Sequence, residues 1–390
     1  MAIKVIKPEV DIREKVEELN KPSGVAGEAM LRAETPQEQF SLIGAGRRNM
    51  LYNGAMTINQ RGSITNITAT TKTLDRWKLA DGTGGAYAIY QSTNAPPDFK
   101  KSMLFNVTTA DTGLDTGTQY LSIAQNLEGQ DVQHLAYGTD EAKPVTLSFW
   151  VKSSKAGTFA SELEIIGAKV NVQSWKINSP DTWEYKTITF DGNTETAITS
   201  TTSVGLYVTV AWIAAGDGIS GTSFKSGWRA LNQTERLPHD IPNMADSTSN
   251  NFRVTGCQLE VGRVATPFEH RPYGEELKLC ERYLQLVPIK YESIAGQAYS
   301  STAARFPIQL PVEMRALPQF DVPPPGSSGY SMKPLTSTLS WPGGTGSNTA
   351  TAVTNKHFYV TCTNYSGLVA GNASQLYATD LSNIICDAEL

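Results

Sequence analysis

The chain has 390 residues, 40% hydrophobic and 18% charged, with a net charge of −5 and an isoelectric point near 5.5. That length exceeds a usual single domain, so two globular units with extra segments are expected. An acidic balance without long Lys/Arg runs excludes the footprint of a general nucleic-acid binder, and no stretch of about 18 apolar residues can span a bilayer as a helix, so neither nucleic acid nor membrane insertion is expected. The opening residues lack the apolar core of a secretory signal, which leads to an expectation of synthesis and folding in a cytoplasm. Plentiful Gly, Thr, Ser and Asn predict short strands joined by turns, an all-β chain.

Residues 1–48 are more charged than the rest. Ile12, Val16 and Leu19 form one helical stripe between Pro8 and the breaker at residues 20–24. A helix of about three turns is marginal alone and needs a partner for its apolar face. Farther on, Thr35 can cap, Pro36 suits a first helical position and Glu38 completes a capping box, after which Phe40, Leu42 and Ile43 supply an apolar face. The segment reads as an anchor, with these six apolar residues as docking candidates.

From 49 to 275 the chain alternates β-type runs with turn clusters. Residues 146–152, 183–190, 204–210 and 252–261 alternate apolar and polar positions or carry β-rich composition, which predicts an antiparallel jelly-roll sandwich. Trp150 and Trp183, lying in two of these runs, are expected in the core, and the Asp81–Gly85 cluster as a surface turn. Leu277, Cys280 and Leu284 then fall at helical spacing behind Glu275 and Glu276, giving a linker helix over 276–285. Residues 286–390 return to β composition, with strands at 306–312 and 357–362 and Pro/Gly-rich loops at 322–329 and 342–347, and predict a smaller β-sandwich. Cys257, Cys280, Cys362 and Cys386 are too widely spaced for a zinc site or disulfide framework and are expected as buried thiols.

Two motifs carry a resemblance. The first joins Arg32–Phe40, Arg47–Met56 and Gln60-Arg61-Gly62; the second runs Gln258–Gly262, Ala265–Leu277 and Cys280–Tyr283. The first resembles the opening of structural proteins in tailed bacteriophages, especially of marine and cyanobacterial hosts. The second is similar to a motif that ends carbohydrate-binding-module-like sandwiches in phage tail-fibre and tail proteins. With Asp75-Arg76-Trp77 and the 148–152 strand the match covers roughly residues 25–285, and Leu310–Pro318 matches more weakly. The resemblance implies a structural virion protein, assembled in the host bacterial cytoplasm: a tail fibre or tail-associated appendage. It would attach through residues 1–48 to other phage proteins of the tail or portal region, pair with itself as a homotrimer, and recognise a host-surface glycan. A head-decorating or head-fibre protein on the capsid is the alternative, and a glycan depolymerase the second.

The second motif also has a plain physical reading. Pro267 and Pro272 hold the chain extended, Phe268 and Tyr273 can cover an open end of the sandwich, and Glu269, Arg271 and Arg282 can pair across the junction.

Catalytic patterns are missing. His134, His239, His270 and His357 show no metal-type spacing, and no Gly-x-Ser-x-Gly elbow or phosphate-cradling loop occurs, so no enzyme and no cofactor are expected. A depolymerase would need paired carboxylates across a cleft, which spacing alone does not reveal. Sugar binding needs exposed aromatics beside amides and carboxylates, and Trp77, Tyr87, Tyr90, Trp212 and Trp228 are the candidate glycan contacts, with Trp175 also considered. Asp217, Asn193 and Asn251 offer oxygens for calcium, although a turn role is preferred for them.

Overall fold

Along the strand Val145–Ser153, Leu147, Phe149 and Val151 are fully buried while Trp150 and Lys152, one step out of phase, are only half-buried. This period-two pattern, repeated from strand to strand, sets which face meets the core. The computed structural model describes residues 47–390 except 115–116, 222–223, 289–293, 322–329, 335–346, 364–367 and 379–382. The docking candidates Ile12, Val16, Leu19, Phe40, Leu42 and Ile43 lie outside the described residues, as do the expected loops, apart from Ser347, which opens a strand.

Two antiparallel sheets face each other. One has six strands in the order Ile64–Ile67, Ala86–Ser92, Ser102–Thr109, Asn251–Val261, Val145–Ser153 and Glu184–Phe190. The other has seven: Gly227–Ala230, Lys169–Ile177, Gly157–Ile165, Val204–Ala215, Tyr120–Glu128, Lys78–Asp81 and Thr71–Lys72. Phe105, Phe149, Phe159, Phe190, Phe252 and Leu163 interdigitate between them at zero exposure. Strands far apart in sequence lie side by side, and the result is the jelly-roll β-sandwich that alternation predicts. In Asn251–Val261 a bulge falls between Thr255 and Gln258, where Gly256 adopts φ +64 and a Cβ would meet the Phe99 ring at 2.6 Å. Glycine is therefore required there.

A smaller sandwich follows. A three-stranded sheet (Leu284–Pro288, Asn383–Asp387, Gln319–Asp321) packs on a six-stranded one (Tyr330–Pro334, Ala373–Ala378, Ile294–Ala298, Ala304–Gln309, His357–Thr363, Ser347–Ala352). Phe306, Phe358, Ile384 and Cys386 fill its separate core. All four cysteines are buried and none is in a disulfide, as expected, and burial holds the Cys257 and Cys280 thiols well above their usual pKa.

The helix between the sandwiches spans Tyr273–Glu281 and is no free spacer. Glu276 is buried and accepts the Asn53 backbone N–H at 2.5 Å, and Cys280 is fully buried. Arg271 is a hub: its guanidinium bonds Glu269 at 3.0 Å and the carbonyls of Leu51 and Asn49, and lies 3.5 Å from Glu276. Arg282 grips both oxygens of the buried Glu128 at 2.9 and 2.8 Å, and the Tyr283 hydroxyl donates to the same carboxylate. These are junction pairs of the kind expected, with Glu128 as the partner the sequence did not reveal. Phe268 covers Phe99 edge-on at 5.0 Å, but Tyr273, at 63% exposure, points mainly to solvent instead of covering the sandwich end. Arg76, stacked 3.3 Å over Tyr283, pairs with Glu389, and Arg61 and Lys72 pair with Asp387 at 3.1 and 3.2 Å. By these ties both cores belong to one unit, Asn49–Leu390.

Candidate functional site

The seven-stranded sheet has an outer face as well as a core face. In Val204–Ala215, Leu206, Val208 and Val210 enter the core, so Tyr207 and Thr209 turn outward, and Trp212 joins them beyond a register shift. In Gly157–Ile165, Leu163 and Ile165 go inward, which sends Glu162 and Glu164 outward beside Thr209 and Tyr207. The chain after Ala215 folds back over one end of this face. There Ile219, Leu237 and Ile241 pack on Trp212, Ala160 and Val172 as a small second cluster.

Arg236 pins that return segment. Its Nε and one terminal nitrogen meet the two oxygens of Glu162 at 2.8 and 2.5 Å, it reaches Glu164 at 3.1 Å, and it lies 4.9 Å over the Trp212 ring. Burial raises the Glu162 carboxyl, while the guanidinium on both its oxygens pulls the value back. Burial lowers Arg236, but Glu162 and Glu164 more than offset this and hold it above its usual value.

What remains open is a groove of about 330 Å³ lined by Thr118, Tyr120, Glu164, Tyr207, Trp212, Ile219, Gln233 and Arg236. Tyr120 meets Trp212 edge-on at 5.8 Å, and the Lys78 ammonium lies 4.2 Å over the Tyr207 ring. Burial, with Lys72 nearby, pushes Lys78 down to about 8, and burial together with Glu162 pushes the Tyr207 phenol well up. Beneath these groups Ser122 Oγ, Asn126 Oδ1, Thr209 Oγ1 and Trp212 Nε1 are buried with no hydrogen-bond partner among the described residues. Their pairings place them on this same outer face: Ser122 opposite Trp212, Asn126 opposite Tyr207, and Thr209 opposite Ala124. A buried polar group without a partner costs about 1–3 kcal/mol, and four of them gather beneath this one face.

The candidate glycan contacts divide sharply. Trp212 lines the groove, but at 3% exposure only an edge of it reaches the opening. Trp77 and Tyr87 do not reach any surface: they are 1% and 0% exposed, Trp77 Nε1 donates to the Asn53 carbonyl at 3.0 Å, and Tyr87 packs on Phe105 at 5.2 Å. The sugar-platform expectation for both is corrected to core packing: the strand Ala86–Ser92 turns Tyr87 inward, and Trp77 closes the Leu74–Trp77 turn just before the strand Lys78–Asp81, with its ring in the core. Trp175 is core too, stacked on Phe159 at 5.3 Å. Trp228 is half-buried against Tyr137, its Nε1 donating to the Asp191 carbonyl at 2.5 Å, and Tyr90 lies half-buried on the six-stranded sheet. Conversely Trp150 and Trp183, expected in the core, sit half-buried on the outer side. The parity of Phe149 and Val151 requires this of Trp150, and that of Ile188 and Phe190 requires it of Trp183. The same parity would have found Tyr207, Glu162 and Glu164; nothing local points to Arg236 or Tyr120.

Asn193 Oδ1 accepts the N–H groups of Glu195 and Thr196, and Asn251 Oδ1 accepts from Arg253, so both oxygens are used by their own turns. Among the described residues no three His, Cys, Asp or Glu side chains converge on one point.

No protein-family model and no curated protein matches the chain. Part of it is similar in strand arrangement to solved structures. The enzymatically active domain of tailspike protein 4 of bacteriophage CBA120 aligns with TM-score 0.31 and 9% identity over 55% of this chain and 21% of that one. The module TmCBM61, solved with β-1,4-galactotriose, aligns with TM-score 0.26 and 12% identity over 55% of this chain and 100% of its own. The xylan-binding CBM22-1 domain of Paenibacillus barcinonensis Xyn10C aligns with TM-score 0.26 and 9% identity over 57% and 100%. The chain spans about a fifth of the tailspike domain.

Proposed function

We propose that the jelly roll is a glycan-binding module that holds an oligosaccharide in the groove between Tyr120, Tyr207, Trp212 and Arg236. The observation that carries this reading is the combination, on one sheet face, of three aromatic side chains with buried polar groups that lack partners. Aromatic rings accept the apolar faces of sugars, while amides, carboxylates and an indole N–H fix their hydroxyls. The groove carboxylate Glu164 and the buried Glu162 beneath it belong to one strand and are both bonded to Arg236, an arrangement suited to positioning a ligand, and the reading is binding without turnover.

The wider role follows from the sequence resemblance. The chain acts as a subunit of a tailed-phage appendage, attached through residues 1–48, and a homotrimer would strengthen weak single-site binding by presenting three grooves at once. The test is a panel of bacterial envelope polysaccharides titrated against the wild-type chain and Tyr207→Ala, with reducing ends assayed in parallel. Binding of at least one glycan, weakened about tenfold or more in the variant and without reducing-end release, supports the reading. Equal binding by both proteins would sink the groove assignment, and sugar release would make the protein an enzyme.

A further inference from the structure

The half-buried aromatics on the six-stranded sheet form a second, separate surface. Pairing places Tyr90 opposite Leu104, Leu104 opposite Arg253 and Arg253 opposite Lys152, so one row crosses four strands of the outer face. Trp150 pairs with Thr255 on one side and Tyr185 on the other in the adjacent row, and its ring contacts Tyr185 at 5.4 Å with the planes 46° apart. Trp183 precedes Glu184, the partner of Val151, and therefore stands beside Lys152. Its indole N–H donates to Asn94 Oδ1 at 3.1 Å, which fixes the ring at the surface.

Two cations sit among these rings. Arg253 is held by Asn251 Oδ1 at 2.5 Å, and its Nε is buried with no hydrogen-bond partner among the described residues. Neither Arg253 nor Lys152 forms an ion pair among the described residues, although the chain as a whole is acidic. The carboxylates nearest the face are Asp181, which acts on Arg253 only at a distance, and Glu184, which is taken up by Lys186 and by the N–H groups of Asn178 and Ser179. Burying an unpaired guanidinium edge is costly unless an anion or water meets it, and the half-buried Trp150 and Trp183 with the exposed Tyr185 on the same face offer stacking for a flat partner.

We infer that this face is a second binding site, for an acidic polysaccharide: a sugar ring stacks on Trp150, Tyr185 and Trp183 while a sugar carboxylate meets Arg253 and Lys152. The aromatic residues supply the contact that any sugar ring can use, and the unpaired cations select the charged one. The site is independent of the groove, which lies on the opposite sheet.

The test is affinity electrophoresis and calorimetry of the full chain with two acidic probes, polygalacturonate and hyaluronan, and one neutral probe, galactan. The proteins are wild type, Trp183→Ala, Arg253→Met and the groove variant Tyr207→Ala, each checked by thermal unfolding. The inference expects an acidic probe to bind in a salt-sensitive way, binding to fall about tenfold in Trp183→Ala and in Arg253→Met, and Tyr207→Ala to bind it normally. Tyr185→Ala, at an exposed position, serves if Arg253→Met is unstable. Failure of both acidic probes to bind overturns it, as does their loss in Tyr207→Ala alone. Dimerisation detected by sedimentation and abolished by Trp183→Ala also overturns it, by making the face a contact between copies. Loss of groove binding with this site intact would instead count against the groove alone.

Discussion

Arg236 reaches both carboxylate oxygens of Glu162, 74 residues away, at 2.8 and 2.5 Å. This contact closes one end of the groove and ties the return segment to the sheet. Glu162 has no exposed side-chain surface, so removing its partner leaves a buried charge unmatched. Arg236→Met is expected to lower stability by about 3–5 kcal/mol, and Glu162→Gln in the same chain to restore part of it, as read by denaturant unfolding. Equal losses in the single and double variants would show that the pair is not the source.

The Glu128 clamp predicts a pH dependence. Burial raises this carboxyl, but the bonds from Arg282 and Tyr283 outweigh burial and hold it below its ordinary value. A depressed folded value means stabilisation that is complete above the unfolded value of about 4.3 and lost as pH falls through the folded one. The gap in Tm between wild type and Glu128→Gln is expected to stay level from about pH 8 to 6 and to narrow below about pH 4. A gap unchanged at about pH 2.5 would remove the charge from the explanation.

Arg76 and Glu389 make a second buried pair, with side chains 1% and 5% exposed. Glu389→Gln leaves the guanidinium without its counter-charge and is expected to cost about 3–5 kcal/mol in equilibrium unfolding. A loss below about 1 kcal/mol, the scale of a surface ion pair, would mean that water reaches Arg76.

The tryptophans offer a contrast. Trp77→Ala is expected to cost about 3–5 kcal/mol through a core cavity, whereas Trp183→Ala should cost no more than about 1 kcal/mol, measured by the same unfolding. Similar costs at both positions would contradict the exchange of surface and core roles described above.

The β-class, the jelly roll and the buried thiols were legible because strand alternation and turn composition are local signals. Strand parity, equally local, puts Tyr87 inside and Trp150 and Trp183 outside whatever their aromatic type, whereas Trp77 sits in a turn whose burial depends on the packed sandwich. The groove was not legible as a whole. Tyr120, Glu164, Tyr207 and Arg236 come together only because the sheet orders its strands out of sequence and the chain after Ala215 folds back across it. The Glu128–Arg282 clamp joins residues 154 apart for the same reason.

A crystal structure of the full chain soaked with its tightest-binding oligosaccharide tests the central claim most directly. The account predicts sugar density in the groove between Tyr120, Tyr207 and Trp212, with a hydroxyl oxygen about 3 Å from the Glu164 carboxylate or the Arg236 guanidinium. Sugar bound elsewhere with that groove empty would contradict it.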